Sequence, residues 1–281
     1  MGKHIPTHRE ISKNMIDAHL HFFLRGEAEA EARAAGGLST AEYLGQTLAD
    51  NGIDFAVAMG TGETPGVPEA HPNLFHCLGI HGNDLAPERM KELLPRIETA
   101  LRAPRCVGMK FYCGYDYFYP SDPRFAPLYE LAGACGKPVV FHSGDTAGSR
   151  GKVKYSHPLE IDEVAVDFPQ TRFVIAHCGN PWIADAVEVA SKNANVALDL
   201  SGLAVGSFDP DELFRRYESY WRHLAMWIDY LSDDSRILYG SDWPLVNMRD
   251  YIALMRRVVP ERAHEGFFDG NARRVFSLPK P

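Results

Sequence analysis

Short apolar runs rich in β-branched and aromatic residues recur along the whole chain. They are MIDAHLHF at 15–22, DFAVAMG at 54–60, LFHCLGIH at 74–81 and CVGMKFY at 106–112. PVVFHSG at 138–144, RFVIAHCG at 172–179, NVALDLSG at 195–202 and RILYGSDWP at 236–244 complete a set of eight. Near-continuous apolar runs of this length, ended by Gly or polar residues, predict parallel strands covered on both faces. Between them the period changes to that of helices. STAEYLGQTLADNG carries Ser or Thr to cap its start and Gly52 to end it. APERMKELLPRIETALRAP sets Met90, Leu93, Leu94, Ile97 and Leu101 on one face, with Pro95 placed to kink it. Further helical patterns, among them DPDELFRRYESYWRHLAMWIDYL and ERAHEGFFDGNARRVFSL, follow the later strands. Eight strands alternating with helices predict an α/β fold of the (β/α)8 TIM-barrel type, with residues 1–281 as a single domain. The second βα unit is reduced, because TGETPGVPEAHPN at 61–73, with its prolines and glycines, predicts a loop or at most a short turn of helix.

Composition narrows the class. At 281 residues, 45% hydrophobic and 23% charged, the chain can bury a large core, as ordinary soluble proteins do. A formal net charge of −8 argues against a general nucleic-acid or anionic-membrane surface. No run approaches the ~18 apolar residues of a membrane-spanning helix, and MGKHIPTHREISKN has no apolar core of a secretory signal. The five cysteines form no CxxC pair, which fits reduced thiols and a cytoplasmic location. The expected partner is a small-molecule substrate, without nucleic acid or membrane.

The polar residues that end the strands carry the chemistry. In a parallel barrel the active site lies at the C-terminal ends of the strands. His19 and His21, two apart, point the same way on an alternating strand, and Asp17 is expected to join them. Twelve histidines placed at random in this length give about 0.5 His-x-His pairs, so the pair alone decides nothing. Other strands also end in ionisable groups: Lys110, His142, His177 and Asp242. Burying such groups singly costs several kcal/mol. Converging on one mouth, the histidines and aspartate supply donors suited to Zn²⁺, with Mn²⁺, Fe²⁺ or Co²⁺ as alternatives.

The set DAHLH, GMKFY, FHSGD, IAHCG and YGSDWP, in this order, resembles the amidohydrolase superfamily. More narrowly it is similar to the branch that contains the aminocarboxymuconate-semialdehyde decarboxylase-like enzymes. The likeness runs from about residue 14 to FFDGNARRVFSL, nearly the whole chain, and KYSHPLEIDEVAVDFPQTRFVIAHCGNPW is also typical of that branch. The resemblance implies that His19, His21, His142 and Asp242 hold a divalent metal. It implies that His177 binds a second metal or orients and polarises the substrate. Lys110 corresponds to a lysine that is carboxylated and bridges two metals in some members. One ion with a free lysine is the favoured expectation, the lysine then meeting an anionic substrate or pairing with Asp242. A homodimer is suggested by family analogy alone.

Metal-assisted hydrolysis of an amide, ester or lactone, on a substrate that can bear a carboxylate, is the leading expectation. Zn²⁺ lowers the pKa of water towards ~7, Asp242 accepts its proton, and His177 stabilises the developing oxyanion. The alternative is metal-dependent non-oxidative decarboxylation, and a third is a non-catalytic metal-binding barrel. Tyr112, Tyr115, Tyr117, Phe118 and Tyr119 form either an aromatic wall or a self-packed loop. Arg150, Lys152 and Lys154 either receive an anionic substrate or are solvated. Trp182 and Trp243 are pocket walls or packing, and His81 either faces the pocket or, as the favoured expectation, is a satisfied core histidine.

Overall fold

The computed structural model describes residues 14–22, 28–61, 71–82 and 87–279. Eight strands pair in parallel in sequence order: β1 (Met15–Leu20), β2 (Ile53–Thr61), β3 (Leu74–Ile80), β4 (Cys106–Phe111), β5 (Val139–Phe141), β6 (Phe173–Ile175), β7 (Val196–Asp199) and β8 (Ile237–Leu238). The last strand returns to the first and closes a barrel. Ala18 N–H donates to the Tyr239 carbonyl at 2.9 Å, Asp242 N–H to His19 at 2.8 Å, and His21 N–H to Trp243 at 2.7 Å. All eight apolar runs are therefore strands, though the later ones stop short of the polar ends of their runs.

The helices that cover the barrel are α1 (Glu29–Ala34), α2 (Ala41–Asp50), α3 (Pro87–Leu101), α4 (Ala126–Ala134), α5 (Leu159–Asp167), α6 (Ile183–Lys192), α7 (Pro210–Arg216), α8 (Glu218–Leu231), α9 (Met248–Val258) and α10 (Asn271–Phe276). Thr40 caps α2, its hydroxyl accepting from Tyr43 N–H at 3.1 Å. In α3 the expected apolar face is buried at Met90, Ile97 and Leu101, and the helix runs through Pro95 as one element. The long pattern at 209–231 divides at Tyr217 into α7 and α8. The reduced second unit falls largely on 62–70, outside the described residues. Among the described residues, no helix is long and apolar enough to cross a membrane.

Two apolar layers follow from strand alternation. Ile16, Ala18, Val57, Cys77, Val107, Val140, Val174, Ala197 and Leu238, drawn from all eight strands, form the inner layer. Ala272, Val275 and Phe276 of α10 join it from the N-terminal end, where Asn271 Nδ2 donates to the carbonyls of Asp234 and Ile237 at 2.8 Å each. Met15, Leu20, Met109, Phe111 and Phe141 face the helices in the outer layer.

β1 changes face along its length. Ile16 and Ala18 belong to the inner layer but Leu20 and Phe22 to the outer one. The switch coincides with a register irregularity between Asp17 and Leu20, the effect of one extra residue in the strand. His19 and His21 are thereby turned into the barrel, whereas Asp17 does not accompany them. Asp17 braces the closing seam instead: its carboxyl accepts from Ser241 N–H at 3.0 Å, Ser241 Oγ at 2.5 Å and His19 N–H at 3.1 Å. Burial raises its pKa to about 7, against the lowering effect of those hydrogen bonds.

Candidate metal centre

His19, near the end of β1, is fully buried, and its ring meets Asp199 at the end of β7, Nδ1 to Oδ2 at 2.8 Å. Its other nitrogen, Nε2, lies 3.7 Å from Asp242 Oδ1, and His21 Nε2 lies 3.3 Å from the same oxygen. His19, His21 and Asp242 thus bring one ligand atom each to within 4.8 Å of one another. His19 Nε2 and Asp242 Oδ1 are buried and complete no hydrogen bond. Buried polar atoms are normally paired, so two nitrogen donors and a carboxylate arranged in this way fit a divalent cation.

The backbone pays for this convergence with strain. Asp242 has φ 65° and His177 φ 58°, both in the left-handed region that non-glycine residues seldom adopt. Gly202, after β7, makes room for them: a Cβ there would stand 2.8 Å from both Asp242 Oδ2 and His177 Nδ1.

The five expected ligands are not all gathered at one point. His142 Nε2 is bonded to the Asp145 carbonyl at 2.8 Å, and its ring lies 5.0 Å from that of His177 and 4.8 Å from that of Tyr115. His177 lies 4.9 Å from His19, ring to ring, with Nδ1 held by Ser201. Both line the mouth beside the group of three rather than belonging to it. Lys110 is fully buried, its Nζ completes no hydrogen bond, and the expected pairing with Asp242 is not made.

Electrostatics at the mouth are set by burial. Desolvation lowers His19 to about 4, despite the carboxylate of Asp199. Burial, with the nearby positive groups, also pulls His142 well below its usual value, and burial lowers His177. Lys110 is lowered by burial against the attraction of Asp199 and Asp242. Burial opposes the ionisation of Asp199 and Asp242, but the surrounding histidines outweigh it and hold both carboxyls well below the ordinary range.

Above the cluster opens a cavity of about 470 Å³, within the usual size for small-molecule sites. Tyr112, Tyr115, Ala147, Val205 and Leu245 give it an apolar wall, and Asn180, Asp145 and the cluster give it polar edges. The aromatic loop after β4 therefore divides between the two expectations. Tyr112 and Tyr115 line the cavity, Phe118 packs 4.5 Å from the Phe125 ring, and Tyr117 and Tyr119 meet Tyr155. Among the described lining residues there is no lysine or arginine. Lys152 and Lys154 lie over the faces of Tyr117 and Tyr155, at 3.9 and 4.5 Å.

Trp182 packs on His157, and Trp243 is buried away from this cavity, beside a second one near α2. His81 is not a core histidine: it is half exposed, bonded to Asp116 at 3.2 Å and stacked on Tyr112. The residues that sequence reasoning missed are Asp199, Ser201 and Gly202. The signal was present, since Asp199 is an ionisable group ending an apolar run as Asp242 does.

The amidohydrolase family model matches residues 16–278. Comparison with curated proteins returns no match. Solved structures share the fold. An amidohydrolase from Burkholderia multivorans with bound zinc is 20% identical, with TM-score 0.66 over 94% of this chain and 99% of that one. A probable 2-pyrone-4,6-dicarboxylic acid hydrolase from Acinetobacter baumannii, with citric acid bound, is 16% identical, with TM-score 0.64 over 94% and 100%. The 5-carboxyvanillate decarboxylase of Novosphingobium aromaticivorans, complexed with manganese and 4-hydroxy-3-methoxy-5-nitrobenzoic acid, is 14% identical, with TM-score 0.64 over 96% and 97%. With the family model spanning β1 to the end of α10, and the barrel and its mouth in place, the chain belongs to the amidohydrolase family.

Proposed function

We propose that this protein is a metal-dependent hydrolase of a small amide, ester or lactone, with His19, His21 and Asp242 holding one divalent ion. The observation that carries the reading is the pair of buried ligand atoms without hydrogen bonds, His19 Nε2 and Asp242 Oδ1, beside His21 at the open end of a parallel barrel. Zinc or manganese, each bound in one of the three structural neighbours named above, would supply Lewis acidity towards the substrate oxygen and lower the pKa of water. Asp242 accepts a proton from the attacking water and passes it to the leaving group. Tyr112, Tyr115, Val205 and Leu245 receive the apolar part of the substrate and exclude bulk water. His177 and His142 line the same cavity beside the cluster. Lys110 stays an unmodified lysine, buried with its Nζ over the Tyr112 ring.

Decarboxylation is the second reading. The cavity favours hydrolysis, because no lysine or arginine among its described lining residues offers a counter-charge to a second anionic group on a dicarboxylate or phenolate substrate. The test is a panel of lactones, esters, amides and aromatic carboxylates given to zinc- and manganese-loaded protein in ¹⁸O-labelled water. Label in the carboxylate product supports hydrolysis. CO₂ release with an unlabelled organic product would move the assignment to a lyase.

A further inference from the structure

Asp199 divides its two oxygens between two histidines. Oδ2 meets His19 Nδ1 at 2.8 Å. Oδ1 accepts from His177 N–H at 3.1 Å, from Ser201 N–H at 3.0 Å and from the Ser201 hydroxyl. Ser201 then faces His177 from the other side, with its carbonyl 3.1 Å and its Oγ 3.0 Å from His177 Nδ1. A carboxylate and a carbonyl can only accept, and the single hydroxyl proton of Ser201 is committed to Asp199. Both Nδ1 atoms must therefore carry a proton, which in the neutral ring leaves a lone pair on each Nε2.

We propose that Asp199 and Ser201 form a positioning clamp that fixes His19 and His177 in the same tautomer. His19 Nε2 is thereby available to a cation. His177 Nε2 becomes a proton acceptor at the cavity, which in the neutral ring replaces the oxyanion-donor role that the sequence suggests. The part concerning His19 rests on the metal-centre reading; the tautomers themselves do not.

Asp199→Asn gives a sharp test. The three donors around Oδ1 keep the amide oxygen there, so the amide N–H2 must take the place of Oδ2 and point at His19 Nδ1. That nitrogen must then accept, the His19 proton moves to Nε2, and the lone pair is lost. Carboxylates behind metal-binding histidines typically contribute about 10–100-fold to metal affinity.

The experiment is ¹⁵N–¹H NMR of histidine-labelled, chelator-treated protein, with peaks assigned through His19→Gln and His177→Gln, together with a zinc titration. In the wild type both rings are expected as Nδ1–H tautomers, a readout that needs neither metal nor a clamp variant. In Asp199→Asn, His19 alone should switch and zinc affinity should fall by about 10–100-fold. Ser201→Ala should leave His177 unswitched, held by the backbone carbonyl. Either ring found as Nε2–H in the wild type, or zinc affinity unchanged in Asp199→Asn, would overturn the clamp. Correct tautomers in a wild type that binds no zinc would support the clamp and count against the metal centre.

Discussion

The inside of this barrel has two ends built from the same eight strands, and they differ in almost every respect. At the floor, Ile16, Val57, Val107, Val140, Val174 and Leu238 meet Phe276 and its neighbours on α10 in a dry layer. At the mouth, a few residues further along the same strands or just beyond them, His19, Lys110, His142, Asp199 and Asp242 are as deeply buried as many floor residues. The floor gains stability from every side chain it hides. The mouth loses some for each polar group it takes out of water and recovers part of it through the Asp199 network. What it does not recover, at His19 Nε2 and Asp242 Oδ1, is the observation on which the proposed metal centre rests.

This contrast can be broken from either end. The largest effect belongs to Asp242→Asn, which removes the proposed proton acceptor and should lower turnover by about 10²–10⁴-fold while the melting temperature stays close to wild type. Turnover within a few-fold of wild type would remove Asp242 from the chemistry. Next is the floor: Phe276→Ala should cost about 3–5 kcal/mol in denaturant unfolding with zinc content per folded chain unchanged. Zinc loss in that variant would mean that floor and mouth are not separable.

The third change goes the other way. Lys110→Met replaces a buried ammonium without a hydrogen bond by an apolar chain of similar length and removes its desolvation cost, and exchanging buried charged groups for well-packed apolar ones is often neutral or stabilising by about 1–4 kcal/mol. A raised melting temperature of the metal-free protein, with reduced activity, is expected; a lowered one would show that Lys110 is well paired. The smallest effect is on the loop. Lys152→Gln with Lys154→Gln should leave both kcat and KM unchanged, since each lysine already covers a tyrosine ring outside the cavity. A raised KM would restore them as substrate contacts.

The floor was easy to read in the sequence because apolar runs repeat the physics of burial at every strand, and all eight runs became strands. The mouth was readable only in part. An ionisable group closing an apolar run identified His19, His21, Lys110, His142, His177 and Asp242, yet the same criterion applied to NVALDLSG should also have marked Asp199. Asp17 was misplaced for a different reason. Alternation assumes an unbroken strand, and the irregularity between Asp17 and Leu20 reverses the faces. No local pattern shows that His142 turns Nε2 to the Asp145 carbonyl, or that Ser201 holds His177, because those partners are chosen by tertiary contact. His81 was misjudged because the apolar run before it says nothing of Asp116, which lies beyond the next strand.

The central claim is that His19, His21 and Asp242 form a metal centre, and direct measurement of bound metal tests it most simply. Elemental analysis of purified protein, with calorimetric zinc titration after chelation, is to be compared between the wild type and His19→Ala, His21→Ala and Asp242→Ala. One tightly bound divalent ion per wild-type chain, with most of it lost in each variant and the circular dichroism unchanged, is the predicted result. A full complement of metal in all three variants, or none in the wild type after zinc loading, would contradict the account.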